Sequence, residues 1–293
     1  MARSLKDQSA IVGIGSTEFS KNSGRSELRL AAESVKAALD DAGLSPADVD
    51  GMVTFTLDTS EEIEIARTLG IRDLKLLSRI PHGGGAACAI VHQAAMAIAT
   101  GVAEVVVCYR ALNGRSGSRY SMGVAEGVMT TDVIHWSWYV PFGLLTPASW
   151  VAMYTQRYMH AFNLTSEDLG RLSVVTRGYA ANNPAAYFYQ RPITLEDHQK
   201  SRWIVEPLRL LDCCQESDGG VAVVVTTPER ARDLRQPPAL IRGVSQGASY
   251  DQEVMTSFYR EDLTDVPEIR LVADQLWAQS GLGPQDIQTA VIY

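Results

Sequence analysis

The residues best suited to chemistry are Gly83-Gly84-Gly85 and the small, apolar run that follows, Ala86-Ala87-Cys88-Ala89-Ile90-Val91. Three glycines let a ligand or a second backbone approach closely. A helix beginning there offers free N–H groups and partial positive charge, which can hold a developing oxyanion. The same pattern also serves as a tight turn feeding a buried helix. His82 adjoins the turn and is a candidate site-lining residue. Cys88 lies one turn into the helix, and a single cysteine on an apolar helix reads as packing before it reads as a nucleophile. Cys213-Cys214 read the same way, and Asp218 reads as the brace of an Asp-Gly turn. Gly13-Ile14-Gly15-Ser16-Thr17-Glu18 carries two glycines of a dinucleotide fingerprint but lacks the third, and the next helix begins too late to cradle a phosphate, so it reads as a strand-ending turn. No pair of side chains has zinc spacing, and His92, His135, His160 and His198 have no partner identifiable from sequence. Trp136, Trp138, Tyr139, Phe142 and Trp150 form an aromatic stretch suited to a satellite core, an apolar ligand tunnel or a subunit contact.

The elements that must position these residues alternate between strand and helix patterns. Residues 9–15 form a short apolar run closed by glycine and predict a buried strand. Residues 28–42 repeat Leu28, Ala31, Ala32, Val35, Ala38 and Leu39 at helical spacing and stop at Gly43. A strand over 48–55, a helix over 60–69, the glycine turn, a helix to Ala99 and a strand over 104–109 follow, the signature of a layered α/β fold. From Asn113 to Pro207 no strong strand pattern occurs, and helices are expected over 146–162 and 166–181, so this segment reads as an inserted cap. The sheet pattern resumes at Asp218, and Arg235-Gln236-Pro237-Pro238 reads as a linker.

Beyond that linker the chain repeats itself. Residues 42–55 align without a gap on 280–293, and Ile11, Gly13 and Ile14 have counterparts in Ile241, Gly243 and Val244. The order strand, helix, strand therefore recurs, which predicts a duplicated protein. The expected division is an N-terminal half over 1–235, with the insertion at about 113–207, and the beginning of a C-terminal half over 236–293, truncated in this chain. The 293 residues carry 26 Lys and Arg against 34 Asp and Glu, a formal charge of −8, which argues against a nucleic-acid-binding face. With 46% apolar residues the chain has the composition of a globular rather than a disordered protein. No run is long and apolar enough for a membrane span, the first residues are too polar for a secretory signal, and the four cysteines suit a reducing compartment, so a cytoplasmic protein is expected.

The opening Ala10-Ile11-Val12-Gly13-Ile14-Gly15-Ser16-Thr17, the glycine turn with its helix, Pro207-Leu208, and Ser217-Asp218-Gly219-Gly220-Val221-Ala222-Val223-Val224 together resemble the thiolase superfamily, in particular its branch of thiolase-like lipid-transfer proteins and sterol-carrier-protein thiolases. The resemblance implies an α/β fold of two βαβαβαββ halves in five layers, a homodimer and an acyl-CoA ligand. It also exposes two departures. Counting back from Gly101 places the thiolase nucleophile at Gly84, while Cys88 lies about 400° and about 6 Å further along the helix. Without a thiolate the thiolase acyl-enzyme cannot form. The position of the family's active-site Asn or His at the end of the second-copy strand is Tyr293.

Loss of the nucleophile with gain of this tyrosine resembles the steroid side-chain-cleaving aldolases of the lipid-transfer group. That resemblance implies retro-aldol cleavage of a β-hydroxyacyl-CoA, a 17-hydroxy steroid C22 acyl-CoA, to a 17-keto steroid and propionyl-CoA in sterol side-chain degradation. Tyr293 would act as base or proton-transfer partner, Gly84 and Gly85 would hold the thioester oxygen, the CoA thioester would be substrate, and no cofactor would be bound by this chain. A small partner with an OB-fold and zinc ribbon, a domain of a hydratase subunit, is implied as well. The alternatives are another thiolase-like acyl-CoA enzyme and a non-catalytic lipid- or acyl-CoA-binding scaffold.

Overall fold

The computed structural model describes residues 4–55, 60–80, 85–117, 119, 131–253 and 256–292. Its main sheet is built from β1 (Ala10–Ser16), β2 (Gly51–Phe55), β3 (Leu76–Ile80), β4 (Val105–Asn113), and later β7 (Asp218–Thr226) and β8 (Ala239–Leu240), in the order β3-β2-β4-β7-β1-β8. β2 pairs in parallel with both β3 and β4, while β7 lies antiparallel between β4 and β1. β1 to β4 therefore all point the same way, with β7 reversed among them.

Period-two alternation sends successive side chains to opposite faces. On one face Val12, Met52, Val105, Val107, Tyr109 and Val224 pack under α1 (Glu27–Ala42) and α2 (Glu62–Leu69). On the other, Val53, Phe55, Val106, Cys108 and Val225 pack under α3 (Ala86–Thr100). The α1 helix lies almost on the strand backbone. A Cβ at Gly15 would fall 2.2 Å from the Ser34 carbonyl oxygen, and one at Gly13 would fall 2.3 Å from that of Ala38. This close approach is what the Gly-x-Gly pair at the end of β1 does, in keeping with its reading as something other than a nucleotide fingerprint.

The insertion folds as α4 (Thr131–Tyr139), α5 (Pro147–Phe162), α6 (Ser166–Asn182), α7 (Leu195–Lys200) and a two-stranded ribbon of β5 (Trp203–Val205) and β6 (Leu208–Arg209). The expected helices over 146–162 and 166–181 are present as α5 and α6, and the Thr146 hydroxyl accepts the Ser149 amide at the start of the first. The short α8 (Pro228–Ala231) follows β7, and α9 (Pro267–Ser280) packs on the segment after β8. No described helix is long and apolar enough to cross a membrane.

Three elements differ from the sequence reading. The strand expected at Ile241, Gly243 and Val244 is reduced to the two-residue β8 just before it, which pairs with β1 only at Ala10 and Ile11. β3 went unforeseen because it is an edge strand with Leu77 exposed and Arg79 turned to Glu61 and Glu62, so no apolar run announces it. The strand expected at the end of the chain is not formed over 287–292, where Val291 and Ile292 are 98% and 90% exposed: a strand needs a neighbouring ladder, and no described strand pairs with this segment.

Candidate functional site

In open α/β sheets, ligands are held outside the carboxyl ends of the strands. Here that edge carries Ser16, Phe55, Ile80 and Asn113, together with the start of the reversed β7 at Asp218. Asn113 and Asp218 are partners in register, so the whole insertion leaves and re-enters the sheet at one rung on this edge. The cap is thus tethered on the same edge as the start of α3, which follows the carboxyl end of β3, three strands from β7.

Gly85 is the N-cap of α3, in a right-handed conformation (φ −61°, ψ −18°) with no side chain capping it. A Cβ built on Gly85 meets no atom within 4 Å among the described residues. The first-turn N–H groups and the positive end of the helix dipole are therefore not spent on a capping side chain. Of the other site residues expected from sequence, Gly84, His82 and Tyr293 lie outside the described residues.

Cysteine chemistry is distributed differently from the expectation. Cys88, read as packing, is exposed: Ala86, Ala89 and Ile90 take the core face of the helix and leave the Cys88 position outward. Cys108 is buried on β4, its thiol donates to the Ile90 carbonyl at 3.4 Å, and burial pushes its pKa up to about 12, so it is held protonated. Cys213 is half-buried and Cys214 exposed, with burial and then the Asp212 charge raising the Cys213 pKa.

Asp218 braces the mouth of the cap. Its side chain is fully buried, and its oxygens accept the amides of Ser23, Arg115 and Ser116 at 2.9–3.0 Å and the Ser116 hydroxyl at 2.5 Å. Burial alone would raise its pKa, but the Ser116, Ser23 and Arg115 hydrogen bonds outweigh burial and hold it below the ordinary value. Asp218 is thus a brace, but not of an Asp-Gly turn as expected: Asp218 and Gly219 open β7, and the side chain ties down the segments at Ser23 and at Arg115-Ser116 instead.

Two further polar clusters have no local signature. In the cap, His198 Nε2 lies 2.7 Å from Asp212 Oδ1, both side chains buried, and Asp212 also accepts the Arg209 amide at 2.7 Å. The partner of His198 is fourteen residues away on a separate turn. Where the cap meets the 250–260 segment, the Tyr139 and Thr256 hydroxyls both donate to Glu253 Oε2, at 2.7 and 2.6 Å, and the Tyr154 hydroxyl accepts the Ser257 amide. Burial pushes the Tyr139 pKa up to about 12, with Glu253 adding to the shift, so this phenol remains a donor across the working range. Phe258 stacks on Tyr154 and meets Tyr139 edge-on, and Trp136 stacks on Trp150. The aromatic stretch thus divides between packed rings and exposed ones, Trp138 at 72% and Phe142 at 82% exposure. No cluster of three metal-ligating side chains occurs among the described residues. A cleft of about 410 Å³ lined by Asp7, Pro228, Arg232 and Leu240 lies at the opposite edge of the sheet from the start of α3.

No family model matches the chain. It is 64% identical over 291 residues to the steroid side-chain-cleaving aldolase of Thermomonospora curvata, covering 99% of this chain and 74% of that protein. It is 61% identical over 292 residues to the 17-hydroxy-3-oxo-4-pregnene-20-carboxyl-CoA lyase of Mycobacterium tuberculosis, covering 99% and 75%. Among solved structures, the Ltp2-ChsH2(DUF35) aldolase matches with a TM-score of 0.92 at 64% identity over 97% of this chain and 72% of that one. A sterol-carrier-protein-thiolase-like protein from Mycobacterium smegmatis matches with a TM-score of 0.69 at 21% identity, covering 96% and 59%, a likeness that establishes the thiolase-like fold alone. The chain spans about three quarters of the length of the two curated relatives. With such identity across nearly all of its residues, the chain belongs to the family of steroid side-chain-cleaving aldolases, carbon–carbon lyases built on a thiolase-like fold.

Proposed function

We propose that this chain cleaves the side chain of a 17-hydroxy steroid C22 acyl-CoA by retro-aldol reaction, giving a 17-keto steroid and propionyl-CoA. The observation that carries the reading is the 61% identity to a lyase named for such a 17-hydroxy pregnene carboxyl-CoA substrate. A base takes the proton of the β-hydroxyl, the O–H electron pair becomes the ketone C=O bond, and the Cα–Cβ bond breaks. Its electrons pass into the thioester enolate, which is then protonated at the α-carbon. Tyr293 is assigned as that base or its proton-transfer partner. The Gly84 and Gly85 N–H groups are assigned to the thioester oxygen, a role supported by the absence of a capping side chain at the start of α3. No cofactor is required, because the thioester itself accepts the electrons.

The residue division 1–235 and 236–293 belongs to the same reading, with the first part a complete thiolase-like half and the second the beginning of another. So does a homodimer bound to a small OB-fold and zinc-ribbon chain, supported by the likeness to a two-component Ltp2-ChsH2(DUF35) aldolase. The test is to incubate the protein and that partner with the 17-hydroxy steroid acyl-CoA and to follow propionyl-CoA. Release of propionyl-CoA, lost in Tyr293→Phe, is the expected result. Wild-type kcat in that variant overturns the tyrosine assignment, and tight binding without turnover overturns the lyase.

A further inference from the structure

Lys21, Arg115 and Arg119 converge at the carboxyl edge of the sheet, in a protein whose formal charge is −8. Glu216 gathers two of them: its carbonyl oxygen accepts from Lys21 Nζ at 2.7 Å and its carboxylate from Arg119 Nε at 2.7 Å. The Arg115 backbone is held nearby by the bond from its amide to Asp218, and its charge acts on Lys21. Asp218 is held ionised by three amides and one hydroxyl, so that it and Glu216 set two negative charges against the three positive ones and leave an excess of one. Lys21 is half-buried, with its ammonium 5.3 Å from the centre of the Tyr187 ring, and the Arg191 guanidinium lies 5.6 Å from the same ring. Burial first, and the Arg115 charge second, hold the Lys21 pKa below its ordinary value, with Arg119 adding and Glu216 and Asp218 opposing. Positive charge concentrated against its own repulsion in a partly desolvated place is what a multivalent anion relieves.

We propose that Lys21, Arg115 and Arg119 form the subsite for the phosphate groups at the nucleotide end of the CoA thioester. The inference deepens the function proposed above and rests on it for the identity of the ligand. Its geometry suits that role: the cluster and the start of α3 lie on the same edge. The carboxyl end of β3 and the start of β7 are three strand spacings apart, roughly 14 Å, a gap the pantetheine arm can bridge.

The test is calorimetric titration of the protein with adenosine 3′,5′-bisphosphate, with inorganic phosphate as a second probe, for the wild type, Lys21→Gln and Arg115→Gln. Arg171→Gln on the exposed face of α6 serves as control. We expect bisphosphate binding that weakens with added salt, falls about tenfold in each of the two variants and is unaltered in the control. Turnover of the acyl-CoA should show a matching rise of about tenfold in KM. Equal binding by wild type and both variants overturns the subsite, as does inorganic phosphate binding as tightly as the bisphosphate, which would make it a site for free phosphate. If the variants lose bisphosphate but no acyl-CoA is ever cleaved, the subsite stands and the lyase reading falls. If acyl-CoA is cleaved with unchanged KM in both variants, the lyase stands and the subsite falls. Unchanged thermal melts of the variants exclude misfolding as the cause.

Discussion

Gly13 and Gly243 stand in the same relation to two different helices. Gly13 meets α1 at Ala38 and Ala42, four residues apart, and Gly243 meets α9 at Leu276 and Ser280, also four apart. In each case the next residue donates its amide to the side chain just before the second of those helix positions: Ile14 to Asp41 at 2.9 Å, Val244 to Gln279 at 2.7 Å. Both helices then end on a left-handed glycine, Gly43 (φ 76°) and Gly281 (φ 71°), and pass into a 3-10 turn, Pro46–Asp48 and Pro284–Asp286. In those turns Asp48 accepts the Ser45 amide at 2.9 Å and Asp286 the Gly283 amide at 2.8 Å.

The two glycines should nonetheless respond differently to a methyl group. A Cβ at Gly13 would press on the Ala38 carbonyl at 2.3 Å, which is backbone, whereas one at Gly243 would first meet the end of the Leu276 side chain at 3.1 Å. Gly13→Ala is expected to destabilise by about 1–3 kcal/mol and Gly243→Ala by less than about 1 kcal/mol. Urea unfolding of the two variants checks the ranking, and equal losses would contradict it.

Asp218→Asn replaces one acceptor oxygen by an NH2 that must face either the Arg115 and Ser116 amides, at the Oδ1 position, or the Ser23 amide and the Ser116 hydroxyl, at the Oδ2 position. A loss of about 2–4 kcal/mol at pH 7 is expected. Because the folded pKa of Asp218 lies below its ordinary value, its contribution is complete above that value and fades as pH falls through the lowered one. The stability gap between wild type and variant should therefore shrink in urea melts taken from pH 5 towards pH 2, and a gap that widens would contradict the assignment.

Thiol labelling should separate the cysteines. Cys108, buried with a pKa pushed up to about 12, should resist iodoacetamide at pH 8 in the folded protein, while the exposed Cys88 and Cys214 react. Peptide mapping after labelling reads the order, and Cys108 should react only after denaturation.

Asp212→Ala removes the carboxylate facing His198 Nε2 and the Arg209 amide inside the cap. We expect a loss of about 1–3 kcal/mol, concentrated in the insertion. Limited proteolysis should cut first within 166–212, with the sheet core protected, whereas uniform loss of protection would place the pair elsewhere in the folding unit.

Local patterns carried most of the first half. The helical period of 28–42, its glycine stop and the apolar runs of β1, β4 and β7 depend on neighbours in sequence, and each became the element expected. β3 did not announce itself, because an edge strand needs apolar side chains mainly at Leu76 and Ile80. Of the expected site residues only Gly85 lies among the described residues, where it stands as the N-cap of α3. Glu253 depends on Tyr139, 114 residues earlier, and His198 on Asp212 in a separate turn, contacts set by tertiary packing that no spacing encodes. Cys88 was misread because an apolar helix was taken to be apolar all round, although its N-terminal turn turns Ala87 and Cys88 away from the core.

The rung formed by Asn113 and Asp218 also bears on how such a protein changes over time. A segment that begins and ends at adjacent backbone positions can lengthen, shorten or be exchanged without moving either strand it hangs from. The cap on the carboxyl edge is therefore a replaceable part, free to be remodelled while the sheet beneath keeps its register.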